Sequence, residues 1–131
     1  MIVLTKNMGR RSGARGAGTL MRPKLKVWVV FGDRVKFGDG RARLLELIDE
    51  LGSIKQAVAR VGMSYRSAWG YLRELEEAAG FKLLERRPGA GPRSGARLTD
   101  EGKAFVRRYR RFRAGLDRAA ARDFTRSFAK S

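Results

Sequence analysis

The sequence predicts a mainly α-helical fold with a small β component: a winged helix-turn-helix with an N-terminal β-hairpin and a long C-terminal helix. Three observations carry this prediction. Residues 53–75, SIKQAVARVGMSYRSAWGYLREL, hold two amphipathic helical periods joined by a glycine-centred turn. Two short apolar stretches linked by the glycine- and proline-rich segment PGAGPRSG follow at residues 81–98. The 131-residue chain also has 30 Lys+Arg against 13 Asp+Glu, a formal net charge of +17. Such an excess calls for a polyanionic partner, of which nucleic acid is the commonest.

The elements follow in order. Residues 1–22 carry five basic residues, four glycines and no acid, a composition expected to remain a disordered basic arm. An initiator at Met21 is an alternative to Met1, and a basic arm that tracks a DNA groove is an alternative role. Leu25, Val27, Val29 and Phe31 alternate with Lys26, Trp28 and Val30 as a strand. Gly32-Asp33 marks a turn, and Arg34–Phe37 reads as the returning strand. A helix from Gly38 or Asp39 to Leu51 buries Leu44, Leu45, Leu47, Ile48 and Leu51, and Gly52 ends it.

In the next helix Ile54, Ala57, Val58 and Val61 form the apolar face, with Ser53 as cap and Gly62 as stop. Ser64 caps a further helix whose inward stripe is Tyr65, Ala68, Trp69, Leu72, Leu75 and Ala79. Phe81–Arg86 reads as a strand centred on Leu83 and Leu84, Pro88–Gly95 as a loop, and Ala96–Leu98 as the second wing strand. Thr99 caps a last helix from Asp100, with Ala104, Phe105, Tyr109, Phe112 and Leu116 as its seam. The expected organisation is an arm over 1–22, the winged helix-turn-helix with its dimerisation helix over 23–116, and a basic tail over 117–131.

The chemistry sits on the polar faces. The second helix of the motif turns Arg66, Ser67, Gly70 and Glu74 away from its apolar stripe, with Tyr71 and Arg73 on the flanks. Arg66 and Ser67 fall in the first turn, the part of a recognition helix that meets base edges; an arginine fork grips guanine O6 and N7. Gly70 removes side-chain bulk where DNA and backbone would approach, whereas Glu74 reads as solvated. Arg86, Arg87 and Arg93 on the wing are placed to reach phosphates. The candidate DNA-binding set is therefore Ser64, Tyr65, Arg66, Ser67, Gly70, Tyr71, Arg73, Arg86, Arg87 and Arg93. Trp69, in line with Ala68 and Leu72, reads as a core anchor.

Other classes fall away. With no cysteine and no histidine there is no disulfide framework, zinc finger or histidine general base. Asp49–Glu50 and Glu76–Glu77 are adjacent pairs on helix faces that read as solvated, so no convergent carboxylate set and no enzyme is expected. The glycines at 89, 91 and 95 lack the Gly-Lys-Ser/Thr of a phosphate-cradling loop. No apolar run approaches a membrane-spanning length, and the first residues lack the apolar core of a secretory signal. The expected location is the cytoplasm, at the nucleoid, with no cofactor. Two functions remain open: a sequence-specific duplex-DNA regulator, and a non-specific nucleoid- or RNA-associated protein.

The segments GDGRARLLE, GSI, MSYRSAW, LLERRPG and ARLT-x-EG, together with the wing framing, cover roughly residues 24–113. In these the chain resembles the N-terminal DNA-binding domain of the molybdate-responsive transcription regulators, the ModE family. The resemblance implies a winged helix-turn-helix that dimerises through its first and last helices and binds a palindromic operator in double-stranded DNA. Molybdate sensors of that family carry C-terminal oxyanion-binding domains; this sequence ends at Ser131, and the expectation is that it takes no small-molecule ligand.

Selective oxyanion binding needs a dry pocket of backbone N–H and hydroxyl donors. Here Ser53, Ser64 and Thr99 are needed as caps, and Ser67 faces outward. Calorimetry with molybdate at physiological ionic strength is expected to show no saturable site. Stoichiometric binding that sulfate does not displace would contradict this.

Overall fold

The computed structural model describes residues 3–4, 20–87 and 95–129. Its elements are β1 (Val3–Leu4), β2 (Leu25–Lys26), β3 (Val29–Phe31), β4 (Val35–Phe37), α1 (Asp39–Leu51), α2 (Ile54–Val61), α3 (Tyr65–Ala79), β5 (Leu84–Arg87), β6 (Gly95–Leu98) and α4 (Asp100–Phe128). The strands form three antiparallel pairs, β1–β2, β3–β4 and β5–β6. This is a winged helix-turn-helix, with α2 and α3 as the motif and β5–β6 as the wing.

Helix boundaries follow from local chemistry. Ser53 Oγ accepts from Gln56 N at 3.1 Å, Ser64 Oγ from Ser67 N at 3.0 Å, and Thr99 Oγ1 from Gly102 N at 2.9 Å. The first three helices end on left-handed glycines, Gly52, Gly62 and Gly80, with φ of 70°, 74° and 83°.

The chain divides into two compact units. The larger, Trp28–Arg110, contains the helix-turn-helix and the wing around one core. Phe37, Leu45, Ile48, Ala57, Ala68, Leu75 and Leu83 are fully buried there. Phe37 meets Phe105 and Tyr109 edge-on, with ring centroids 4.8 and 5.0 Å apart. Truncating such a central aromatic ring costs about 3–5 kcal/mol. The start of α4 is fastened to the chain leading into β5: Thr99 Oγ1 donates to Lys82 O at 2.6 Å and Thr99 N to Leu83 O at 2.9 Å. Only glycine fits the next turn, because a Cβ on Gly102 would lie 2.5 Å from Leu83 O.

The smaller unit comprises residues 1–27 and 111–131. In it β1 pairs with β2, Val3 opposite Lys26 and Leu4 opposite Leu25. Arg113 Nη2 donates to Leu25 O at 2.8 Å. Phe124 and Phe128 stack one turn apart, 4.7 Å between centroids.

Several expectations are corrected. The strand foreseen over Leu25–Phe31 is two strands. The returning strand ends at Phe37, opposite Val29, since Gly38 opens α1; Leu25–Lys26 therefore has no partner in the hairpin and pairs with Val3–Leu4. Those two residues lie within the arm expected to be disordered; the rest of residues 1–19 falls outside the described residues. The wing strand starts at Leu84 rather than Phe81 because the amides of Leu83 and Leu84 are both taken by Glu76 Oε2, at 2.8 and 3.1 Å. Helix α4 runs to Phe128 through the stretch expected as a basic tail, where the alanines at 119–121 and the Phe124–Phe128 pair favour helix.

A forked ion pair joins α1 to α4. Arg110 Nε donates to Glu46 Oε2 at 2.9 Å and Nη2 to Oε1 at 2.8 Å. These bonds hold the Glu46 carboxyl below its ordinary value of 4.5, against an opposing effect of burial. A lowered carboxylate pKa contributes stability that is present above about pH 4.5 and lost as pH falls through the lowered value. Both side chains are about a third exposed, so the pair is screened and contributes about 1 kcal/mol at most. Urea unfolding of Glu46→Gln is expected to show that loss at neutral pH, with the gap to the parent closing as acidification protonates the parent's carboxylate. A gap that is constant with pH would contradict the assignment.

Candidate nucleic-acid interface

Helix α3 is positioned by its buried face, on which Ala68, Leu72 and Leu75 are inaccessible to solvent. Its opposite face follows from the 3.6-residue period. Arg66, Ser67, Gly70 and Arg73 are exposed, and a Cβ built on Gly70 would meet nothing within 4 Å. Gly70 is therefore not required by packing, although an exposed helix-interior glycine costs about 1 kcal/mol relative to alanine. No acid occurs on α3 before Glu74. Among the described residues, no ion pair or hydrogen bond engages the guanidinium groups of Arg66, Arg73 or Arg86.

Two of the expected site residues, Tyr65 and Tyr71, stand differently from the sequence reading, and Ser64 keeps the capping role expected of it. Tyr65, placed on the inward stripe, is 45% exposed: it opens the helix beyond the packed turns and meets Trp69 edge-on, 6.3 Å between centroids. Tyr71 is half-buried. Its hydroxyl donates to Lys36 O at 2.8 Å and the Arg41 guanidinium lies 4.2 Å from its ring, so it braces α3 against β4. Burial pushes the phenol above its usual range despite the opposing Arg41 charge, and it stays a neutral donor. Ser64 is exposed, and its hydroxyl oxygen serves as the α3 cap.

The wing is fixed at its root. In β5–β6 the register sets Leu84 opposite Leu98 and Arg87 opposite Gly95. The edge of β6 is held by two contacts from α1 and its cap: Ala96 N donates to Gly52 O at 3.1 Å, and Leu98 N to Asp49 Oδ1 at 3.0 Å. A Cβ on Gly95 would lie 2.7 Å from Gly52 O, so only glycine permits this approach. Glu76 holds the start of β5 from α3. Asp49 and Glu76, read from the sequence as solvated, are half-buried acceptors of backbone N–H groups.

Arg86 is exposed on β5, and its guanidinium lies 4.6 Å from the centroid of the half-buried Trp69 ring. Trp69 is thus more than the core anchor expected, a role no helical periodicity signals. Arg87 closes β5 by its backbone, and Arg93 lies outside the described residues. Beside Arg86 is a groove of about 710 Å³ bordered by the α2 N-terminus, Tyr65 and the root of the wing. Among the described residues no cluster of three or more metal-ligating side chains occurs, and no helix is long and apolar enough to cross a membrane.

Comparison with known proteins agrees with this geometry. Residues 40–103 match the bacterial regulatory helix-turn-helix proteins of the lysR family. The chain is 36% identical to the molybdenum transport protein ModE of Azotobacter vinelandii over 88 residues, covering 64% of this chain and 33% of that protein. It is 36% identical over 69 residues to the DNA-binding transcriptional dual regulator ModE of Escherichia coli K12, covering 53% and 26%. It is 37% identical over 71 residues to the molybdenum-pterin-binding protein MopA of Rhodobacter capsulatus, covering 54% and 27%. The chain thus spans a third or less of the length of these curated relatives. Its helix-turn-helix domain is ModE-like.

Proposed function

We propose that this ModE-like winged helix-turn-helix is a sequence-specific regulator of transcription that binds double-stranded DNA in the cytoplasm and has no catalytic role. The observation that supports it best is the exposed, acid-free first half of α3, with Arg66, Ser67, Gly70 and Arg73 unencumbered on a rigid helix. Entered into the major groove, its first turn brings Arg66 and Ser67 to base edges, and the absent side chain of Gly70 allows close approach. The wing carries Arg86, Arg87 and Arg93 to flanking phosphates, which add affinity but little sequence information.

The chain acts as a homodimer in this reading, so that two copies of α3 meet a palindromic site. Two features support it. The apolar groove of about 280 Å³ in the smaller unit, formed by Leu25, Leu116, Ala120, Phe124 and Phe128 with their neighbours, is open. Phe112, on the same helix, is 49% exposed. Size-exclusion chromatography with light scattering should return twice the chain mass.

Selection from random duplex DNA should recover a motif with two-fold symmetry; equal binding to all duplexes would leave the non-specific nucleic-acid reading in its place. Arg66→Ala is expected to lose about 1–3 kcal/mol and to relax preference at one position per half-site. Arg93→Ala should weaken all sequences alike and reduce the log–log salt slope by about one. Identical behaviour of the two variants on matched and mismatched sites would refute this division of roles.

A further inference from the structure

The groove beside the wing has a chemistry that the recognition face of α3 does not share. Ser53, Lys55, Gln56, Tyr65, Arg86 and Gly95 line it, and among the described residues no acid does. Its central cation is held without an acid partner. The Arg86 guanidinium carbon lies over the Trp69 ring, 4.6 Å from its centroid, and Tyr65 closes on the same indole edge-on. A guanidinium held over a ring by its charge needs no acceptor for its N–H donors, and among the described residues nothing accepts from those of Arg86. An ordinary surface arginine loses rotamer freedom when it grips an anion; one already parked on an indole loses less. Lys55 adds a second charge on the rim, and Tyr65 a hydroxyl.

We propose that this groove is a phosphate clamp in which Arg86 grips one backbone phosphate of bound duplex DNA and Trp69 acts as its positioning residue. The proposal rests on the DNA-binding reading and extends it: the indole couples the recognition helix to the wing. A base contact made by α3 and a phosphate contact made from β5 then share one rigid frame. The shared chemistry is phosphate, and the two sources, nucleic-acid backbone and free phosphate, separate in the test.

The test uses the full chain carrying Trp28→Phe, which leaves Trp69 as the single tryptophan; Trp28 lies outside the groove. A labelled mixed-sequence duplex is titrated by anisotropy while Trp69 emission is followed, and inorganic phosphate is titrated in parallel at constant ionic strength. Duplex binding should bring a saturable change in Trp69 emission. Arg86→Gln should abolish that change and lower the log–log salt slope by about one. Trp69→Leu, checked for an intact fold by circular dichroism, should lower the slope by the same amount, and the double variant no further. Arg66→Ala should keep the emission change.

A duplex that binds with unaltered emission, or with the same slope in all variants, overturns the clamp and leaves DNA binding standing. No duplex binding by the parent overturns the DNA reading itself. A saturable response to inorganic phosphate alone would then keep the phosphate site and assign it to the free anion, whereas a flat response would end both.

Discussion

A two-stranded ribbon has two open edges, and its unpaired amides need acceptors wherever water is kept from them. In this wing the acceptors are two carboxylates and one carbonyl. Glu76 takes Leu83 N and Leu84 N on one side, and Asp49 and Gly52 O take Leu98 N and Ala96 N on the other. A hydrogen bond to a charged acceptor is worth about 1.5–3 kcal/mol, and stripping that acceptor would leave the amides unpaired. Much else depends on these contacts. They fix the wing to α3 on one side and to α1 on the other, set where β5 can begin, and bring Arg86 over Trp69. Thr99 continues the same arrangement into α4 by joining the helix start to Lys82 and Leu83.

The scarcity of acid in this chain has a spatial order. Several of its 13 acids have structural work inside the larger unit: Glu46 pairs with Arg110, Asp39 accepts from Tyr109 Oη at 2.5 Å, and Asp49 and Glu76 hold the wing. Carboxylates used in this way are turned toward protein. The exposed first half of α3 and the groove by Arg86 contain none, so their positive potential is not offset locally.

Helix positions and caps were legible in the sequence because they depend on neighbours in the chain. Ser53, Ser64 and Thr99 cap helices as expected, and Gly52, Gly62 and Gly80 end them. The order of hairpin, three helices, wing and last helix was legible for the same reason. What periodicity does not record is a contact between distant segments. The division of Leu25–Phe31 depends on a strand more than twenty residues upstream, and the carboxylates of Asp49 and Glu76 serve amides 49 and 7–8 residues away. Tyr65 matched the apolar period yet lies beyond the packed turns, while Tyr71, taken for a contact residue, has its hydroxyl committed to Lys36 O. Trp69 fell on the inward stripe, and only the return of β5 shows that its ring also carries an arginine.

The approach of Gly95 to Gly52 makes the root of the wing intolerant of change. The amide of Ala96 reaches the carbonyl of a helix-terminating glycine, and a side chain at Gly95 would push that carbonyl away. Gly52 in turn can give up its left-handed conformation only by altering the end of α1. The two glycines thus form a linked pair, and a lineage or a designer that changes one must rebuild the other. The root of the wing is thus a fixed socket: the seat of β6 against the end of α1 holds only while both glycines are kept.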